Sequence, residues 1–180
     1  MPRLFIALAL PDDLSDQLHL MQGGIAGARW SKRENLHLTL TFIGDINAPD
    51  VLEDLDTALL RVAASPFSLS LQGTGTFAQG SDPLVLWMGV DAPPALATLK
   101  KSIDRQLTNA AIPFEARKYT PHVTMARFKY PDAGAVARFM QEHNLFRSAP
   151  FAVDEFVLYE SKLREDGPQY LELARYPLRA

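Results

Sequence analysis

Two short frames hold the residues that could do chemistry: NLHLTLTFIG at residues 35–44 and PHVTMARF at residues 121–128. Each places His-x-Thr inside an apolar, strand-like run. Side chains at i and i+2 of a strand share a face, so His37 lies beside Thr39, with Thr41 further along, and His122 lies beside Thr124. Leu36, Leu38, Leu40 and Phe42 then face the opposite layer, as Val123 and Met125 do in the second frame. Buried imidazoles and hydroxyls need hydrogen-bond partners, so placing the pair twice costs stability unless something uses it. An imidazole titrates near pH ~6.5, so one of a pair can be neutral and accept a proton while the other is charged and donates it. That division of labour suits in-line displacement at phosphorus. One imidazole activates the attacking oxygen, the other protonates the departing one, and the hydroxyls hold non-bridging oxygens.

The competing uses are weaker. A single His in a strand is ordinarily a satisfied structural residue, and only the repetition lifts this pair above that reading. A zinc site usually needs a third protein ligand, and neither strand carries HExxH, HxH or a carboxylate at i±2. The expectation is no metal and no cofactor. His19 among polar residues and His143 near a helix C-terminus read as structural.

These frames must be held by the elements around them. Leu4–Leu10 is a short apolar run of strand length, and Asp12 or Asp13 can cap a helix with Leu14, Leu18 and Met21 on one face. The strand Leu36–Ile43 follows, then a helix from Pro49 with Leu52, Leu55, Leu59 and Val62, and a strand at Phe67–Leu71. The order starts again with the strand Leu84–Val90, a helix bearing Leu96, Leu99, Ile103 and Leu107, and the strand Pro121–Phe128. A helix from Asp132 with Val136, Phe139 and Met140, the strand Phe151–Tyr159 and a hairpin partner at Tyr170–Leu178 complete the copy. The pattern predicts a duplicated α+β fold: two pseudo-symmetric lobes, each a mainly antiparallel sheet with flanking helices, around a central cleft. The whole of 1–180 then forms one bilobal domain with an approximate repeat, 1–80 and 81–180.

Composition agrees with a single well-packed body. The chain has 180 residues, 47% of them hydrophobic and 22% charged, which is enough for one generous core and argues against disorder. A formal net charge of −3 gives no general basic surface, so nucleic acid would be held at an end or in a local groove. Without cysteine there is no disulfide framework and no thiol nucleophile. The run LFIALAL lacks a small-residue cleavage site and is stopped by Pro11-Asp12-Asp13, so it reads as a strand and not as a signal or membrane segment. A cytoplasmic monomer is the expectation.

LFIALALP, NLHLTLTFIG, the VLWMGV strand, PHVTMAR and a closing S-x-L…G-x-x-Y-x-x-L…Y-P-L, in this order, resemble the 2H phosphoesterase superfamily. Within it the chain looks most like the bacterial and archaeal RNA 2′,3′-cyclic phosphodiesterases, also called 2′-5′ RNA ligases. The resemblance implies His37 as proton donor to the leaving oxygen, His122 as proton acceptor that activates water, and Thr39 and Thr124 as phosphate ligands. It implies metal-independent hydrolysis of a 2′,3′-cyclic phosphate at an RNA or nucleotide end to a 2′-phosphomonoester. The reversible, ATP-independent 2′-5′ joining that it also implies puts a ribose 5′-hydroxyl in the place of water. From the residues alone the two histidines are interchangeable.

The same family's second motif commonly continues to an arginine, here Arg127, as a further phosphate ligand. On an ideal strand Arg127 has the opposite parity to His122 and Thr124, so it reaches the phosphate only if the strand bends or ends there. Trp30, Phe42 and Tyr119 are the candidates for stacking on a base or touching RNA, with Phe42 disfavoured by parity. Ser31-Lys32-Arg33 and Arg117-Lys118 could border the cleft. A non-catalytic nucleotide or RNA-end binding module, and a 2H phosphodiesterase of different substrate such as 2′-5′ oligoadenylate, are the alternatives.

Overall fold

A computed structural model describes residues 3–46 and 48–180. Its elements in chain order are β1 (Arg3–Ala9), α1 (Asp12–Met21), β2 (Arg29–Trp30), β3 (His37–Asp45), α2 (Pro49–Leu60), β4 (Phe67–Gln79) and β5 (Asp82–Asp91). They continue with α3 (Pro94–Asn109), β6 (His122–Arg127), α4 (Ala133–His143), β7 (Phe151–Val153), β8 (Glu155–Arg164) and β9 (Gly167–Pro177). A 3-10 turn at Arg33–Asn35 leads into β3.

The strands form one curled antiparallel sheet in the order β7-β4-β5-β6-β3-β1-β8-β9, with β2 paired to β6. The two His-x-Thr strands are therefore neighbours at its centre. They pair only at Leu38↔Val123, so the sheet divides there into two wings that meet at a seam. The wings exchange strands. β4, from the first copy of the pattern, pairs with β5, while β8, its counterpart, pairs with β1.

One face of the sheet is covered by helices, and alternation along the strands shows which. On β1, Leu4, Ile6 and Leu8 join the core with Leu14 and Leu18 of α1, Leu55 and Leu59 of α2, Leu99 and Ile103 of α3 and Phe139 of α4. Leu38 and Leu40 of β3 and Val123 and Met125 of β6 belong to the same cluster. Phe5, Ala7, Trp87, Tyr159 and Tyr170 stand outside it, on the opposite, open face. At roughly 1.5–3 kcal/mol for each large apolar side chain buried, the helical side is the main source of stability, and the open face is free for other work.

Local chemistry explains most boundaries. Asp132 caps α4, its carboxylate accepting from the Ala135 amide at 3.0 Å. Pro49 opens α2 and Pro94 opens α3. The expected cap at Asp12 or Asp13 is instead Pro11, and both aspartates sit in the first turn of α1, where the helix dipole favours them. Leu52, expected on the inner face of α2, is exposed. β4 runs on to Gln79, well past Leu71, because glycines 73 and 75 hide the strand pattern in the sequence. Gly75 is there for space: a β-carbon on it would lie 2.2 Å from the Trp87 ring, which lies across it.

Candidate active site

A one-residue bulge follows each histidine motif. Along β1, Ala7 pairs with Thr39 and Ile6 with Thr41, so Leu40 is extra; along β5, Trp87 pairs with Thr124 and Leu86 with Ala126, so Met125 is extra. A bulge resets the alternation of the strand. Two expectations from ideal parity are corrected by it. Thr41 does not share the His37 face; it turns to the helical side, where its hydroxyl donates to Asp104 Oδ1 at 3.0 Å. Phe42 does not join Leu38 and Leu40; it emerges on the open face with its ring 6.0 Å from Phe5. The matching bulge brings Arg127 to the open face beyond His122 and Thr124, removing the parity objection to it.

Both imidazoles are held in the same way. His37 Nδ1–H donates to the Asn35 carbonyl at 2.6 Å, and His122 Nδ1–H donates to the Thr120 carbonyl at 2.7 Å. Each bond fixes the tautomer, leaving Nε2 as the nitrogen available for proton transfer. The carbonyl two residues upstream acts as the orienting group that a carboxylate supplies in other two-histidine arrangements. Asn35 is itself anchored, its side-chain amide donating to the Pro168 carbonyl at 2.8 Å.

The equivalence of the two histidines, complete in sequence, is broken in space. His37 Nε2 accepts from the Thr39 hydroxyl at 2.9 Å, so both its nitrogens are engaged. His122 keeps Nε2 without a protein partner among the described residues. Burial lowers the pKa of His37 to about 4, with the charges of His122 and Arg127 adding to the effect, against a counteracting bond to Asn35. Burial also lowers that of His122, aided by Arg127 and Arg117. His37 is thus neutral in the free protein at pH ~7.

Each imidazole stands against its own aromatic wall. Around His37 are Phe5 at 5.0 Å, Tyr170 edge-on at 5.2 Å and Tyr159 at 6.3 Å between ring centroids. Around His122 are Phe77 edge-on at 4.8 Å and Trp87 at 5.9 Å. Trp87 Nε1 is the buried side-chain donor left without a partner among the described residues. None of these five aromatics was singled out in the sequence. Alternation on β1 points to Phe5, but Phe77, Tyr159 and Tyr170 depend on which strands become neighbours.

Two sequence candidates for RNA contacts lie elsewhere. Trp30 pairs with Ala126, past the bulge, and therefore shares its helical side; its ring packs 5.6 Å from Phe139 of α4. Tyr119 is also packed against the core. Its hydroxyl donates to the Thr39 carbonyl at 3.1 Å and its ring faces Lys100 Nζ at 5.6 Å. Lys100 in turn binds Asp104 at 2.6 Å, the carboxylate that also takes the Thr41 hydroxyl. This set grips the backbone on both sides of the Leu40 bulge. Lys32 pairs with Asp166 and Arg33 with Asp16, so that cluster braces the 3-10 turn; Arg117 is close enough to bear on His122.

A curled antiparallel sheet with two His-x-Thr strands abreast and both imidazoles oriented from behind defines a two-histidine phosphoesterase. The comparison with known proteins narrows this: the model of the 2′-5′ RNA ligase superfamily matches residues 10–165, and the chain belongs to that family. It is 33% identical over 175 residues to a Thermotoga maritima protein named RNA 2′,3′-cyclic phosphodiesterase, covering 93% of this chain and 91% of that one. A Methanothermobacter thermautotrophicus protein of the same name is 30% identical over 183 residues, with 98% of each chain covered. Among solved structures, E. coli LigT complexed with 3′-AMP has a TM-score of 0.79 at 25% identity over 99% of both chains. The Thermus thermophilus protein TT0787 has the same TM-score, 0.79, at 27% identity over 98% of both.

Proposed function

We propose that this chain is a metal-independent RNA 2′,3′-cyclic phosphodiesterase, which opens the cyclic phosphate at an RNA or nucleotide end to a 2′-phosphomonoester. Water attacks phosphorus as His122 Nε2 takes its proton. The bond from phosphorus to O3′ breaks, and His37 Nε2 delivers a proton to O3′, leaving a 3′-hydroxyl. Thr39, Thr124 and Arg127 hold the non-bridging oxygens, where hydrogen bonds to charged groups are worth about 1.5–3 kcal/mol each. With a ribose 5′-hydroxyl attacking in place of water, the same displacement joins two ends through a 2′-5′ linkage, and its reversal exchanges the acid and base roles of the histidines.

The observation that carries this reading is the paired orientation of the imidazoles, each with Nδ1–H given to the carbonyl two residues upstream. The open Nε2 of His122 suits the base, while His37 must gain a proton to act as acid. A phosphodiester anion in the cleft supplies the opposite charge that raises its pKa. Phe42, Phe77 and Trp87 offer faces for a base, and Trp87 Nε1 an unused donor. One chain supplies both histidines and both aromatic walls, as a monomeric enzyme requires.

The test is turnover of 2′,3′-cyclic AMP with identification of the monophosphate isomer. His37→Ala and His122→Ala should each lower kcat by at least about 10²-fold, the contribution of one general acid or base, and EDTA should change little. Near-wild-type rates in either variant, or 3′-AMP as product, would overturn the reading. Binding without turnover would instead indicate a nucleotide-binding module.

A further inference from the structure

Arg29 and Arg127 stand directly opposite one another in the β2·β6 ladder. Cross-strand partners share a face, and the bulge at Met125 has already turned Arg127 to the open side, so Arg29 is there too. Both are exposed. Neither belongs to any of the ion pairs among the described residues, whereas Arg3 on β1, Arg147 beside β4 and Arg175 on β9 each have a carboxylate partner. Like charges directly opposite are destabilising, and two guanidinium groups left unneutralised in a chain of net charge −3 call for an anion from outside.

Their placement is not loose. The Ser31 amide donates to the Met125 carbonyl at 2.8 Å and the Ser31 hydroxyl to the Thr124 carbonyl at 2.9 Å. The Gln22 side-chain amide donates to the Ser31 carbonyl at 2.8 Å. β2 is thus locked onto the strand that carries His122 and Thr124. With Met125 bulged out, Arg127 stands two ladder steps along β6 from Thr124, roughly 7 Å at about 3.3 Å per step, so its long side chain can serve the reacting phosphate and the next one along the strand.

We propose that Arg29 and Arg127 form a second anion site, which holds the phosphate on the 5′ side of the terminal nucleoside. The preferred substrate is then an oligonucleotide end and not a cyclic mononucleotide. This rests on the cyclic phosphodiesterase reading above for the position of the first phosphate. Arg127 reaches both phosphates; Arg29 meets only the second. The site also reconciles an acidic chain with a polyanionic substrate, because one local pair suffices for a strand end.

The experiment compares kcat/KM for 2′,3′-cyclic AMP with that for a dinucleotide ending in a 2′,3′-cyclic phosphate, in wild type and Arg29→Gln. The preference for the dinucleotide should fall about tenfold in the variant, with partial recovery in Arg29→Lys. In parallel, anisotropy of a labelled RNA hexamer ending in a 2′-phosphate is followed against salt. The slope of log affinity on log salt should fall by about 1 in Arg29→Gln and stay unchanged in Arg138→Gln, an exposed arginine on α4. Equal losses on both substrates, or an unchanged slope, would overturn the anion site while leaving the phosphodiesterase reading intact. If the wild type hydrolyses neither substrate yet the slope still falls with Arg29, the phosphodiesterase reading fails and the anion site stands.

Discussion

Arg127 occupies in β6 the place that Phe42 occupies in β3: each stands at i+5 from its histidine, carried to the open face by a bulge immediately after His-x-Thr. The pseudo-symmetric frame thus puts a cation at one end of the cleft and an aromatic ring at the other. A substrate with a phosphate and a base therefore meets different partners at the two ends. Arg127→Met should lower kcat/KM about 10²-fold, the equivalent of roughly 3 kcal/mol of charge-assisted bonding. Since the Arg127 charge lowers the pKa of both imidazoles, the same change should move both histidine titrations up in an NMR pH series. Histidine titrations that stay in place would show that Arg127 does not face them.

The low pKa of His37 fixes where the rate should peak. The profile of kcat/KM reports the free enzyme, so its bell should be centred below pH 6.5, with its acid limb near pH 4. The profile of kcat reports the complex, where the bound anion raises both imidazoles, so its optimum should lie higher. The limbs belong to the coupled pair and not to either histidine alone. Coincident optima would contradict proton uptake on binding.

Stability should depend on pH through the same group. The folded-state pKa of about 4 lies below the value of 6.5 expected when unfolded, so between them the unfolded chain binds more protons. His37 therefore leaves full stability above pH 6.5 and removes it progressively as pH falls towards 4. Urea midpoints measured over this window should decline on acidification in wild type and decline less in His37→Gln. Parallel curves would place the acid sensitivity elsewhere.

Tyr119 ties the two motifs together: its hydroxyl holds the Thr39 carbonyl, and its neighbour Thr120 orients His122. Tyr119→Phe keeps the ring on Lys100 and removes only that bond, at a cost of about 1 kcal/mol in stability. The expected kinetic signature is a several-fold fall in kcat with KM nearly unchanged, because the imidazoles and not the binding surfaces lose their register. A rise in KM alone would return Tyr119 to the role of a substrate contact.

Much of this was legible in the residues. The two His-x-Thr frames mark the candidate site, and the elements around them mark the α+β architecture, because apolar spacing and prolines show strands and helices plainly. What stayed hidden follows from two physical causes. A bulge has no signature in the runs LTLTF and VTMAR, so Thr41, Phe42 and Arg127 could not be assigned to a face by counting. Strand exchange is equally silent, which is why Phe77, Tyr159 and Tyr170 could not be placed beside the histidines. Trp30 and Tyr119, conspicuous in the sequence beside the motifs, are part of the helical side because aromatic rings serve a core as readily as a base.

The exchange of β4 and β8 between the wings sets the order in which the molecule can become active during its own synthesis. His37 leaves the ribosome early, but Tyr159 and Tyr170, which wall it, follow on the order of ten seconds later at ~5–20 residues per second. Until then β1 has one edge open, and closing it requires contacts between distant parts of the chain, the slow kind. A nascent chain therefore carries His37 and His122 before the aromatic wall of His37 and the second edge of β1 are in place.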